Sequence, residues 1–314
     1  MTKNLRLAFM GSPDFVVPAL EALIDHPNID VTCVYTQPPR PKGRGGGVQN
    51  TPVHNAALAH GLEVLTPLSF KAAEDIQNFQ KLKLDVAVVA AYGMMLPDNI
   101  LTATKHGCIN IHPSLLPRWR GVSPIQFALW KGDTKTGVTI MSLVKEMDAG
   151  PILTQSETVI TPESTAQDLS DQLWPAGTNL LLEVLEGLHK TGQLHPKEQD
   201  HTGATFCHKL NKEHGHIDWT QNAADIDRQI RALNPWPGTW SVLPDGKRLK
   251  ILTASPAKQE TQEKAGMILS DTGDIACGNH ETLTLETVQP EGKKPMPFSA
   301  AMNGGYIKAG DLLS

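Results

Sequence analysis

Long apolar runs are missing from this 314-residue chain. No segment reaches the ~18 consecutive apolar residues that a membrane-spanning helix needs, so none is expected to cross a bilayer. An excess of basic charge is missing too: 28 Lys and Arg stand against 33 Asp and Glu, a formal net charge of -5. Proteins that coat phosphate backbones carry a basic surface. The balance therefore argues against such a function and leaves any RNA contact to a local basic loop. Cysteine is scarce. Cys33, Cys108, Cys207 and Cys277 lie far apart and form no C-x-x-C. They give no basis for zinc ligation and read as reduced, structural thiols of a cytosolic protein. Aromatics make up only 5% and are not interleaved as a single-strand stacking platform would require. Charged residues, at 19%, are too few for general disorder, and 40% apolar residues suffice for sizeable cores. Met1-Thr2-Lys3-Asn4 leads straight into a strand-like segment, so no signal peptide is expected and the expected location is cytoplasmic.

Hydrophobic periodicity organises the first two thirds. Strands are predicted at 5–10, 29–35, 62–65, 85–91, 108–112 and 138–141. Helices are predicted at 15–24, 52–60, 75–83, within 126–131, and over 165–188, where Pro175 should kink or interrupt the chain. The alternation predicts an open α/β sheet, Rossmann-like and rich in parallel strands. The first turn, Gly11-Ser12-Pro13-Asp14-Phe15, lacks the G-x-G-x-x-G spacing, so a dinucleotide site is not supported. Composition then shifts. Residues 191–206 carry Gly192, Pro196, Gly203, charges and histidines, and read as a linker. Beyond it come one helix, at 223–233, and short strands at 239–243, 249–254, 266–270, 274–277 and 282–288. These suggest a small β-barrel of OB type, with a β-sandwich as the alternative. The expected domains are 1–190, a linker at 191–206, and 207–314.

The densest chemical signal runs from Gly107 to Gly121, GCINIHPSLLPRWRG. Asn110 and His112 are two apart on a strand and share a face, while Ile109 and Ile111 take the other. The strand ends in a proline-bounded loop, and ligands of open α/β sheets bind at such carboxyl ends. The ordinary alternative is that both side chains satisfy buried backbone groups. Asp148, after the next strand, is either a turn residue before Gly150 or a carboxylate that hydrogen-bonds a histidine nitrogen and fixes its tautomer. Together the three suit acyl transfer to an amine. An amide and an imidazolium can both donate to an oxyanion, where one such donor is worth ~3–4 kcal/mol. A histidine can also shuttle a proton between nitrogens. Ser114 is not in a G-x-S-x-G elbow, and nothing marks Cys108 as an activated thiolate, although it could point toward the site.

With these residues in view, the chain is similar to the folate-dependent formyltransferases along almost its whole length. The resemblance rests on residues 5–15, on Tyr35-Thr36-Gln37-Pro38-Pro39-Arg40-Pro41-Lys42-Gly43-Arg44-Gly45, and on Val89-Ala90-Ala91-Tyr92-Gly93. It rests also on Asn110 to Gly121, on Ile217-Asp218-Trp219, and on residues 230–238. It implies 10-formyltetrahydrofolate as formyl donor, no metal, and Asn110, His112 and Asp148 as the catalytic trio. It implies folate contacts at Ser114, Leu115, Leu116 and Pro117, and contacts of Arg40, Lys42 and Arg44 with the acceptor end of a tRNA. The implied partner is initiator methionyl-tRNA, formylated on its α-amine by a monomeric enzyme whose C-terminal OB-like domain helps hold the RNA. A sugar-nucleotide amine or water as acceptor is the alternative within the same family. Two departures stand out. Gly45-Gly46-Gly47 occupies a stretch where relatives often carry lysines, which should loosen the loop and weaken its hold on phosphate. Pro113 follows His112 where some relatives have glycine, which should stiffen that approach.

Overall fold

A computed structural model describes residues 3–41 and 47–314. In chain order its main elements are β1 (Leu5–Gly11), α1 (Val17–Ile24), β2 (Ile29–Tyr35), α2 (Pro52–Ala59), β3 (Val64–Leu65), α3 (Ala73–Lys81), β4 (Val86–Ala90), α4 (Asp98–Leu101) and β5 (Cys108–His112). There follow α5 (Pro124–Trp130), β6 (Lys135–Ser142), β7 (Ile152–Val159) and α6 (Ala166–Thr191). The chain ends with α7 (Ala223–Leu233), β8 (Thr239–Val242), β9 (Arg248–Pro256), β10 (Asp274–Ala276), β11 (Thr282–Pro290), β12 (Met296–Pro297) and α8 (Phe298–Asn303).

The chain divides into two compact units. The first comprises 1–121, 136–159 and 170–206, and the second 122–135, 160–169 and 207–314. The first unit is built on a seven-stranded sheet of order β7-β6-β5-β4-β1-β2-β3. β1 pairs parallel with β2 and β4, β4 with β5, and β2 with β3, whereas β6 runs antiparallel to β5. The sheet is therefore mixed. Successive residues of its central strands enter different cores, as the two-residue pleat requires. Leu7, Phe9, Val86, Val88, Ile109, Ile111, Val138 and Ile140 pack under α1, α2 and α6. Ala8, Met10, Ala87, Val89 and Cys108 pack with Phe79, Ile100 and Leu101 of α3 and α4. With both faces covered, β4 is buried at every position, which is why it reads as a continuous apolar run.

Within this unit, α6 and β7 differ from the sequence expectation. The helix at 165–188 is not interrupted at Pro175; α6 is one helix of 26 residues with that proline inside. An interior proline costs about 3 kcal/mol. Here the apolar stripe of Leu173, Leu181, Leu185 and Leu188, all buried, outweighs it. Gly177 lets the same helix lie close on the sheet, because a Cβ there would stand 2.7 Å from Ile111 and 2.9 Å from Val138 side-chain atoms. Strand β7 was not anticipated. It lies at the sheet edge, with Thr154 and Ser156 partly buried and Gln155 and Glu157 exposed, so it lacks the apolar signature of the interior strands.

The second unit has an antiparallel sheet of order β8-β9-β11-β10, with β12 also pairing with β11. Its core joins Ile226 and Ile230 of α7 to Leu249, Ile251, Leu283, Leu285 and Val288. The strand expected at 266–270 forms only isolated bridges, Met267 to Leu312 and Ile268 to Ile275. Its backbone N–H groups go to scattered partners, Met267 to the Lys264 carbonyl at 2.9 Å and Ile268 to the Asp311 carbonyl at 2.9 Å, so no continuous ladder forms.

All four cysteines are buried, and none is in a disulfide. Cys108 sits among Ile100 and Leu101 with its thiol toward the Ile100 carbonyl at 3.8 Å, not in an open site. Burial pushes the thiols of Cys33, Cys108 and Cys277 from the ordinary value of 9.0 up to about 12. An aromatic disulfide reagent at pH 8 is therefore expected to leave these three unmodified in the native protein and to label them once it unfolds. Because the folded values are the raised ones, the stability these thiols contribute is complete below about pH 9 and is lost as pH climbs toward 12. Labelling of any of the three at the native rate of an exposed thiol would contradict this.

Among the described residues, no helix is long and apolar enough to cross a membrane.

Candidate active site

Strand β5 ends the parallel part of the sheet. Asn110 pairs with Val89 of β4 and Met141 of β6, and His112 pairs with Thr139 of β6. Strands β2 and β3 build outward from β1 on one side and β4 and β5 on the other. The carboxyl ends of β1 and β4 thus mark the switch point where open α/β sheets bind ligands. Polar groups gather there. Ser12 donates to the Tyr92 carbonyl at 3.3 Å, and Gln37 Nε2 donates to the carbonyls of Tyr92 at 3.2 Å and Gly93 at 3.1 Å. Arg40, exposed, donates to Gln37 Oε1 at 3.0 Å. Lys42 and Arg44 lie outside the described residues.

The loop after β5 is held from below by side chains that sequence reasoning did not single out. Thr139 donates its hydroxyl to the Ser114 carbonyl at 2.6 Å and accepts the Leu116 N–H at 3.2 Å. Gln155 donates to the Leu116 carbonyl at 2.9 Å. Thr205 Oγ1 accepts the Trp119 N–H at 2.9 Å. Ser114 is fully buried, and its hydroxyl donates to the Arg118 carbonyl at 2.6 Å. Its single O–H donor is thus spent within the loop and its side chain is closed off from solvent, which makes it a loop-building residue. Leu116 is buried as well, while Leu115 and Pro117 remain partly exposed.

This loop grips the histidine. His112 is buried, and its Nε2 lies 3.0 Å from the Trp119 carbonyl. A carbonyl only accepts, so Nε2 carries a proton. The expected hydrogen bond from His112 to Asp148 is not formed. Nδ1 and Asp148 Oδ2 are 3.8 Å apart, an ion-pair distance and too long for a hydrogen bond. Asp148 Oδ2 instead accepts the Gly121 N–H at 2.8 Å. The tautomer is therefore set by the Trp119 backbone, for which the sequence carries no side-chain signal. Trp119 and Asp148 both have left-handed backbone, φ 61° and 49°. Two such non-glycine residues flanking one imidazole are a concentration of strain of the kind found at functional sites.

Asn110 completes the group. Its side chain is partly exposed, and its amide has no hydrogen-bond partner among the described residues. A free amide donor thus shares a strand face with a histidine whose Nδ1 is also uncommitted, and a carboxylate stands close to that nitrogen. The set can stabilise negative charge growing on a carbonyl oxygen and can exchange one proton. Among the described residues, no group of three or more His, Cys, Asp or Glu side chains could hold a metal ion.

Residues 5–185 match the family model described as formyl transferase, and residues 209–305 match that of the formyl transferase C-terminal domain. The chain belongs to the formyl transferase family. Among curated members, the methionyl-tRNA formyltransferase of Paramagnetospirillum magneticum is 45% identical over 309 residues, covering 98% of this chain and 100% of that one. The same-named enzyme of Cereibacter sphaeroides is 47% identical over 306 residues, 98% of each. Solved structures share the fold at lower identity. WlaRD, a sugar 3N-formyl transferase crystallised with dTDP and 5-N-formyl-THF, superposes with a TM-score of 0.66 at 16% identity, over 92% of this chain and 99% of that one. HypX from Aquifex aeolicus, crystallised with tetrahydrofolic acid, gives 0.62 at 17% identity, and this chain spans 49% of it. At those identities the likeness is one of fold. It extends to the two-domain α/β architecture with a mixed Rossmann-like sheet and a smaller C-terminal sheet.

Proposed function

We propose that this formyl transferase moves the formyl group of 10-formyltetrahydrofolate to the α-amino group of methionyl initiator tRNA, the step that readies it for translation initiation. The observation that carries the reading is the 45–47% identity to methionyl-tRNA formyltransferases over both units, C-terminal unit included.

The folate supplies an activated formyl group. The α-amine of an aminoacyl ester is a weaker base than that of a free amino acid, so it reaches the site unprotonated without a strong base. The Asn110 amide, free of partners, donates to the formyl oxygen as it gains charge. His112 is pinned through Nε2 by Trp119, which leaves Nδ1 as the nitrogen that donates to the same oxygen or passes a proton to the departing nitrogen. Asp148, with its carboxylate 3.8 Å from Nδ1, faces the positive charge that the ring carries during the reaction and takes no hydrogen bond from it. Residues 114–117 form the folate-side loop, and in this reading Leu115 and Pro117, its partly exposed members, make the contact, while the buried Ser114 and Leu116 shape the loop.

The second unit serves as an OB-like tRNA-holding domain of a monomeric, cytoplasmic enzyme. Arg40, Lys42 and Arg44 meet the tRNA acceptor end. An arginine can hydrogen-bond to bases exposed where the first pair is weak. Arg44→Ala is expected to raise KM for charged initiator tRNA about tenfold or more, the loss of roughly 1.4 kcal/mol or more of binding, with little change in kcat. Steady-state kinetics with tRNA as the varied substrate checks this, and unchanged constants would remove Arg44 from the acceptor site.

A further inference from the structure

Residues 191–206 have the composition of a linker, yet they lie within the first unit and are bonded into it. Lys197 bridges to Ile152 through two backbone hydrogen bonds of 2.8 Å. Two residues on, Gln199 is 4% exposed and its side chain reaches the turn that carries Asp148. Its amide nitrogen donates to the Asp148 carbonyl at 2.8 Å and to the Gly150 carbonyl at 2.7 Å. Its amide oxygen accepts from Arg120 Nε at 3.2 Å and Nη2 at 2.7 Å. Arg120 is 5% exposed, and Nη2 also donates to His201 Nδ1 at 3.0 Å.

These bonds close a ring. The Asp148 backbone carbonyl is held by Gln199, Gln199 is held by Arg120, and Arg120 is covalently joined to Gly121. The N–H of Gly121 returns to the Asp148 carboxylate at 2.8 Å. Both ends of Asp148 are thereby fixed in a left-handed backbone that an aspartate does not favour unaided. The turn has little slack elsewhere, since a Cβ at Gly150 would stand 1.9 Å from the Ser142 carbonyl. Only an amide side chain fits this place. It offers two protons to the turn and an acceptor to the guanidinium, whereas a glutamate would pair with Arg120 but donate nothing to the two carbonyls.

We propose that Gln199, held by Arg120, is the positioning residue of the formyl-transfer reaction: it sets the distance of the Asp148 carboxylate from His112 Nδ1. The inference rests on the functional reading above. Neither Gln199 nor Arg120 touches the reacting atoms; they act through Asp148.

The test compares Gln199→Leu, Gln199→Glu and Asp148→Asn, alone and combined, in the full-length enzyme with 10-formyltetrahydrofolate and charged initiator tRNA. Misplacing a catalytic group by about 1 Å costs about 100-fold in rate. Gln199→Leu and Gln199→Glu should each lower kcat to that extent with both KM values unchanged. Combined with Asp148→Asn, either should add less than about twofold, because a carboxylate already absent cannot be misplaced. A second readout does not depend on turnover. In protein carrying ¹⁵N-labelled histidine, Gln199→Leu should shift the His112 Nδ1 resonance, because the carboxylate that stands 3.8 Å from that nitrogen is displaced. Losses that multiply in the double variants, or an unmoved resonance, would make Gln199 a merely structural residue and overturn the proposal. Wild-type enzyme inert toward the tRNA would instead overturn the functional reading, with the resonance still deciding the role of Gln199.

Discussion

Replacing Asn110 with alanine is expected to lower kcat about 10²–10³-fold, the measured scale for removing one oxyanion donor. The change isolates a single group. The Asn110 side chain is partly exposed and bonded to nothing among the described residues, so its removal leaves no orphaned partner. The neighbouring Ile109 and Ile111 carry the packing of the strand, and its pairing to Val89 and Met141 runs through the backbone. Melting temperature and both KM values should therefore stay near those of the wild type while kcat falls, as happens when an interaction made only in the transition state is lost. Steady-state kinetics beside a thermal melt reads both. A kcat within threefold of the wild type would take Asn110 out of the chemistry.

Replacing His112 with alanine should reduce kcat further, by 10²–10⁴-fold from the lost proton transfer alone, on the usual scale for general acid–base groups. It should also do what the asparagine change does not. His112 is buried and supplies the hydrogen bond that satisfies the Trp119 carbonyl. Leaving that carbonyl unpaired costs about 1–3 kcal/mol, so the melting temperature should fall as well. The two variants thus separate a free donor from one that is built into the loop. If the histidine variant melts like the wild type, the Trp119 contact does not hold the ring. If it retains wild-type kcat, the proton transfer assigned to it is wrong.

How much of this was legible in the sequence follows from how each feature is encoded. The central sheet was readable because β4 is buried at every position and is an unbroken apolar run, while β1 is interrupted only by Arg6 and β5 only by Asn110 and His112. Strand β7 was not, because a partly exposed edge strand of Thr, Gln, Ser and Glu has no such signature. Asn110 and His112 could be placed together by the two-residue period alone. Their relation to Asp148 could only be guessed, since a difference between hydrogen bond and ion pair is set by backbone dihedrals at Trp119 and Asp148 that no residue type announces. Residues 191–206 read as a linker because glycine, proline and charge look the same in a mobile tether and in a segment anchored by buried side chains. Gln199 and Thr205 hold that segment in place and appear in composition only as two more polar residues. Arg118-Trp119-Arg120 stood out in the sequence, but the element of it that matters most for His112 is a main-chain carbonyl.

The most direct test of the account is the initial rate of formyl transfer from 10-formyltetrahydrofolate, measured side by side with charged initiator tRNA, charged elongator methionine tRNA and no acceptor. The account predicts rapid formation of N-formylmethionyl-tRNA with the initiator species, far slower transfer to the elongator species, and negligible folate turnover without an acceptor. Turnover of equal rate without any tRNA would mean that water is the acceptor, and inertness toward both tRNAs with intact donor binding would point to a small amine; either result contradicts the account.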